Sequence, residues 1–145
     1  MRKMVVLLIA SILWLPVVSV LGGDYEVGGA LKDGSILEER NGILIEGDSD
    51  FTSDNGVSSG SGILSDPYII ENFRINTSKT NGIDIRNTSS HFEIRNCLIS
   101  GGNDKRSGFL GISLINVKNG SVINCDINNN HRGIIGEGSS DTEIK

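Results

Sequence analysis

Aliphatic residues recur at alternate positions in short runs, and the runs are separated by Asn, Ser, Thr and Gly. A period of two predicts β-strands with one buried face, and the separators are turn-formers. Ile70-Glu71-Asn72-Phe73-Arg74-Ile75, Ile94-Arg95-Asn96-Cys97-Leu98-Ile99 and Val122-Ile123-Asn124-Cys125-Asp126-Ile127 share one pattern: aliphatic, any, Asn, any, any, Ile. Ile144-Lys145 begins it a fourth time. The anchors fall at 70, 94, 122 and 144, spaced by 24, 28 and 22. The longest interval holds Gly101 to Gly108, which reads as an inserted loop, and without it the period is near 22. A second series interleaves with the first: Asn81-Gly82-Ile83-Asp84-Ile85, Leu110-Gly111-Ile112-Ser113-Leu114 and Arg132-Gly133-Ile134-Ile135.

Strands this short cannot bury a face alone. Stacked in register on copies of themselves they can, with Ile83 above Ile112 and Ile94 above Val122. The pattern therefore predicts an all-β, right-handed parallel β-helix solenoid of about three coils plus a truncated fourth. A β-sandwich also places turns at regular spacing, but its strands do not repeat their sequence. Gly82, Gly111 and Gly133 are expected to take a turn conformation that disfavours Cβ. Asn72, Asn96 and Asn124 are expected to form an internal ladder of amide bonds between coils.

The first residues have a different pattern. Arg2 and Lys3 precede an apolar run of 17 residues, Val5 to Leu21, followed by Gly22 and Gly23. This layout predicts a signal peptide over 1–23, with a retained membrane anchor as the alternative. The expected location is secreted or cell surface, with membrane contact only through this segment if it stays uncleaved. Residues 24–42 read as a linker or part of an N-terminal cap, and 43–145 as β-helix repeats. Because the chain ends inside a strand pattern, the repeats read as the first part of a longer solenoid. Loss of Arg2 and Lys3 takes the formal charge from −5 to −7. An acidic balance argues against nucleic acid as a partner.

The block Ile45-Glu46-Gly47-Asp48-Ser49-Asp50-Phe51-Thr52, then Asn55-Gly56-Val57, Gly60-Ser61-Gly62 and Ser65-Asp66-Pro67-Tyr68-Ile69-Ile70-Glu71, leads directly into the coils. From about Ile43 onward the chain resembles archaeal surface proteins with NosD-like right-handed parallel β-helix repeats, of the broad pectin-lyase-like group. The resemblance implies the same fold and a carbohydrate-binding or sugar-hydrolysis setting. Chains of that family usually carry many more coils.

Hydrolysis of a glycosidic bond needs two carboxyl groups about 5–10 Å apart, and lyases of this shape use carboxylates to hold Ca²⁺ near a base. Asp84 and Arg86 should face outward on one strand, but their equivalents one coil on are Ser113 and Ile115. Glu93 and Arg95 are followed by Ser121 and Ile123. No acidic ladder forms, so no catalytic residue is assigned. Asp48, Asp50 and Asp54 are the weak Ca²⁺ candidates, although Ser53 stands where an EF-hand loop needs Gly. No other cofactor is expected. Copper handling finds no support, because Cu(I) favours Met, Cys and His and the only histidines, His91 and His131, lie on different coils. Cys97 and Cys125 occupy equivalent places in consecutive coils and are candidates for either a disulfide or a thiol ladder. Asn76, Asn87 and Asn119 each open an Asn-x-Ser sequon in a predicted turn. The inserted loop, with Asp104, Lys105 and Arg106, reads as a tolerated surface insertion. The expected function is a non-catalytic exported module that contacts polysaccharide or neighbouring surface proteins. The alternatives are an N-terminal fragment of a polysaccharide lyase or hydrolase, and a structural spacer.

Overall fold

The computed structural model describes residues 36–102 and 108–145. The expected signal peptide at 1–23, the stretch 24–35 and residues 103–107 of the inserted loop lie outside the described residues. The alternating runs resolve into β1 (Glu38–Arg40), β2 (Ile43–Glu46), β3 (Val57–Ser59), β4 (Tyr68–Glu71), β5 (Phe73–Asn76), β6 (Ile83–Thr88), β7 (Phe92–Arg95), β8 (Leu98–Ser100), β9 (Leu110–Val117), β10 (Gly120–Ile123), β11 (Asp126–Ile127), β12 (Arg132–Glu137) and β13 (Glu143–Ile144). Every strand except β3 pairs with its copy one coil away, which makes three sheets. Sheet A has the order β1-β5-β8-β11, sheet B β12-β9-β6-β2 and sheet C β13-β10-β7-β4-β3. All these pairings are parallel except β3 with β4. The chain is a right-handed parallel β-helix solenoid.

The register follows the sequence anchors. Ile70 pairs with Ile94, Ile94 with Val122, and Val122 with Ile144 in sheet C. Ile43, Ile83, Ile112 and Ile134 align in sheet B. Like residues therefore stack, and Ile45, Ile70, Ile75, Ile83, Ile85, Ile94, Ile99 and Ile112 are fully buried in one continuous core. Burying each such side chain contributes about 1.5–3 kcal/mol before ordering costs. A column of aromatic rings closes one side: Phe51 stacks on Tyr68 with ring centroids 4.6 Å apart and meets Phe92 at 5.7 Å.

Two expectations are corrected. The six-residue pattern is not one strand. The chain turns at its Asn, so β4, β7 and β10 belong to sheet C while β5, β8 and β11 form sheet A, which gives each coil a third strand beyond the two that the anchor lines require at least. Asn72, Asn96 and Asn124 make the turn with φ of 61°, 52° and 49°, a left-handed conformation in which Asn is the least penalised residue after Gly. These asparagines stand at an outer corner, not inside the core, and Asn124 Nδ2 donates to Asn96 Oδ1 at 2.9 Å. The second correction concerns glycine. Gly82, Gly111 and Gly133 do not have positive φ. Gly82 and Gly111 are required by close approach instead: a Cβ on Gly82 would overlap the Gly111 carbonyl oxygen and the Ile99 side chain, and one on Gly111 would overlap Ile127 and the Gly133 carbonyl oxygen.

Candidate functional site

Because inward positions are taken by aliphatics, the outward positions carry the chemistry. Each sheet has an arginine in direct register with a glutamate one coil away. Arg74 Nε lies 2.9 Å from Glu39 in sheet A, Arg86 Nη1 3.7 Å from Glu46 in sheet B, and Arg95 Nε 2.9 Å from Glu71 in sheet C. Opposite charges directly across a strand pair favour that register, and a slip by one residue would turn them inward.

Sheet B adds a second acid to this arrangement. Asp84 sits two residues before Arg86 on β6 and points outward, as expected, yet it is only 4% exposed. The Arg86 side chain covers it and forms a two-pronged ion pair, Nε to Oδ1 at 2.9 Å and Nη2 to Oδ2 at 2.7 Å. Asn81 Nδ2 donates to Asp84 Oδ2 at 3.0 Å. Burial opposes ionisation of Asp84, but the hydrogen bonds from Arg86, Asn81 and Ser113 and the attraction of the guanidinium outweigh it, so its carboxyl is held below the ordinary range. Beside this cluster lies a cavity of about 300 Å³ lined by Leu44, Lys79, Asn81, Asp84, Arg86 and Phe109, among others. Leu44 is in register with Asp84 on the neighbouring strand and is half exposed. Asn81 also accepts from the Leu110 backbone N–H at 3.0 Å, which ties the groove to the next coil.

Sheet C has related charges in a different setting. Arg95 lies between Glu71 and Glu93, the latter at 3.4 Å. Ser58 Oγ, from the antiparallel β3, donates to Glu71 at 3.1 Å. The bond from Arg95 is the main reason that the Glu71 carboxyl is also held below its ordinary range.

The three Ca²⁺ candidates are close in sequence but serve different partners. Asp48 Oδ1 accepts from the Thr88 and Ser90 hydroxyls, chiefly the former, which holds its carboxyl below the ordinary range. Asp50 Oδ2 accepts from the Glu46 backbone N–H at 3.0 Å, and the Asp54 backbone carbonyl accepts from Arg40. Among the described residues no three His, Cys, Asp or Glu side chains gather into a group that could hold a metal ion. Cys97 and Cys125 stack as expected and are both free thiols. The sequon asparagines differ in setting. Asn76 and Asn87 are exposed, while Asn119 is half-buried and spends its amide nitrogen on the Ser89 carbonyl at 2.9 Å.

Sequence reasoning missed a second asparagine ladder. Asn87 and Asn116 bend β6 and β9 one residue before their ends, with φ of 53° and 51°, and Asn116 Nδ2 donates to Asn87 Oδ1 at 3.0 Å. The signal was present, since Ile85-Arg86-Asn87 and Leu114-Ile115-Asn116 repeat the aliphatic, any, Asn motif on the second anchor line. Of the other groove residues, Lys79 and Asn81 share the turn before β6, while Leu44 and Phe109 come from other coils, and no local motif joins those two to the rest.

Among the described residues no helix is long and apolar enough to cross a membrane. No family model matches the chain, no curated protein matches it, and no solved structure matches it.

Proposed function

We propose that the protein is an exported, non-catalytic β-helix module of the NosD-like kind that contacts polysaccharide through the groove on the outer face of sheet B. The observation that carries this reading is the mixed lining of that groove. A sugar ring offers hydroxyl groups at its edge and C–H groups on its face. The planar polar ends of Arg86, which Asp84 holds in place, and Asn81 suit the hydroxyls, while Leu44 and Phe109 suit the face. A non-catalytic role is favoured because a general acid needs a carboxyl held protonated near working pH. Asp84 is shifted the other way, and Asp84 and Glu46 both pair with the one Arg86.

The test is binding of the full chain to an array of neutral and acidic polysaccharides, with reducing and unsaturated ends assayed in the same samples. Binding without new chain ends is the expected result. Cleavage of a bound polysaccharide would replace this reading with an enzyme, and absence of binding across the array would leave a spacer.

A further inference from the structure

The two cysteines lie outside the sheet B groove and take no part in the proposed sugar contact. Each follows a left-handed asparagine, Asn96 and Asn124, so both enter sheet A from the same corner geometry. Two bonds hold the corners together: Asn124 Nδ2 to Asn96 Oδ1 at 2.9 Å and the Asp126 backbone N–H to the Cys97 carbonyl at 2.8 Å. Leu98 and Asp126, the next residues on each strand, are register partners. The Cys97 and Cys125 backbones are therefore level with one another on neighbouring parallel strands. Such strands lie ~4.8 Å apart, inside the ~4.4–6.8 Å between Cα atoms that a disulfide spans.

The side chains are oriented alike. Cys97 Sγ donates to the Arg95 carbonyl at 3.3 Å, and Cys125 Sγ to the Ile123 carbonyl at 3.4 Å, each two residues back. Cys125 Sγ also lies 3.7 Å from the Ile94 carbonyl oxygen, which faces it from the coil that carries Cys97. They differ in access, since Cys97 is fully buried and Cys125 is partly exposed. Their acidity differs in the same sense: the neighbouring Cys97 thiol lowers Cys125, and the Cys125 thiol together with burial raises Cys97.

The geometry points to Cys97 and Cys125 as a dithiol site that a small-molecule disulfide oxidises to a cystine stapling the second coil to the third. Cys125, as thiolate, attacks one sulfur of the small disulfide. That S–S bond breaks, a mixed disulfide forms on Cys125, and one small thiolate leaves. The first leaving thiolate takes from water the proton that Cys125 released on ionising; Cys97 then attacks the Cys125 sulfur, the mixed S–S bond breaks, and the second small thiolate leaves with the Cys97 proton. The protein loses two protons and two electrons, and the reagent gains them as two thiols.

The experiment exposes the reduced full chain to oxidised glutathione and follows intact mass, peptide linkage and thermal unfolding. The expected product is a monomer lighter by two hydrogens, with the Cys97 and Cys125 peptides joined. Its thermal midpoint should rise by roughly 10 °C, because the crosslink restricts the unfolded chain. Cys97→Ser should stop at a stable glutathione adduct on Cys125, whereas Cys125→Ser should leave Cys97 unmodified until the chain unfolds. Disulfide-linked dimers, a persistent adduct on the wild-type chain, or equal reactivity of the two cysteines in the two variants would each overturn the proposal.

Discussion

Sheets B and C both place an arginine among carboxylates on their outer faces, yet the two clusters serve different ends. In sheet C, Arg95 lies between Glu71 and Glu93, and the added strand β3 brings Ser58 onto Glu71. All the groups are partly solvated, and the cluster closes on itself. In sheet B, Arg86 lies over a buried Asp84 and borders an open groove. The charges are alike, but burial and the neighbouring surface differ. In sheet C the pairs set register. In sheet B the same pairing also fixes the half-buried Arg86, through an ionised acid beneath it, at the edge of the groove.

The largest expected contrast lies in the glycines that let the coils approach. Gly82→Ala, at the start of β6, would set a Cβ against the Gly111 backbone carbonyl as well as Ile99, and backbone at a coil junction has little room to yield. A loss of about 3 kcal/mol is expected in denaturant unfolding. Gly120→Ala, at the start of β10 in sheet C, would first meet the end of the Phe92 ring, a side chain and not backbone. Its cost should be about 1–2 kcal/mol. Equal costs would show that the two sheets are packed alike.

A smaller contrast is expected at the arginines. Arg86→Ala removes both the two-pronged partner of Asp84 and its cover, and should cost about 1–2 kcal/mol through the charge-assisted bonds that Asp84 loses. Arg95→Ala leaves carboxylates that water can reach, and should cost no more than about 1 kcal/mol. Urea titrations of both variants against the wild-type chain measure the difference. If the order is reversed, the buried setting of Asp84 is not what distinguishes sheet B.

The sequence carried the solenoid because its strongest physical requirement, like residues stacked on like, repeats in the letters themselves. Ile70, Ile94, Val122 and Ile144 were aligned by pattern and are partners in space. The corners were harder to see. An Asn at the third position of an alternating run looks like an inward strand residue, and only its backbone angle shows that the chain turns there, so sheet A was not separated from sheet C. The glycine positions were found, but for the wrong reason, since a steric limit set by the next coil leaves no mark on local conformation. The groove was legible only in part. Asp84 and Arg86 share a strand and were read as an outward pair. The burial of Asp84 depends on Arg86 folding back and on Asn81 and Ser113, and the cavity depends on Leu44 and Phe109 from other coils. Those are properties of the stack and not of any segment.

Chemical-shift mapping by heteronuclear NMR, with the polysaccharide that binds most tightly titrated into the labelled wild-type chain, tests the assignment of binding to sheet B most directly. The account predicts saturable shifts at Leu44, Lys79, Asn81, Asp84, Arg86 and Phe109, with Glu71, Glu93 and Arg95 unmoved. Shifts centred on the sheet C cluster, or spread evenly over both faces, would contradict it.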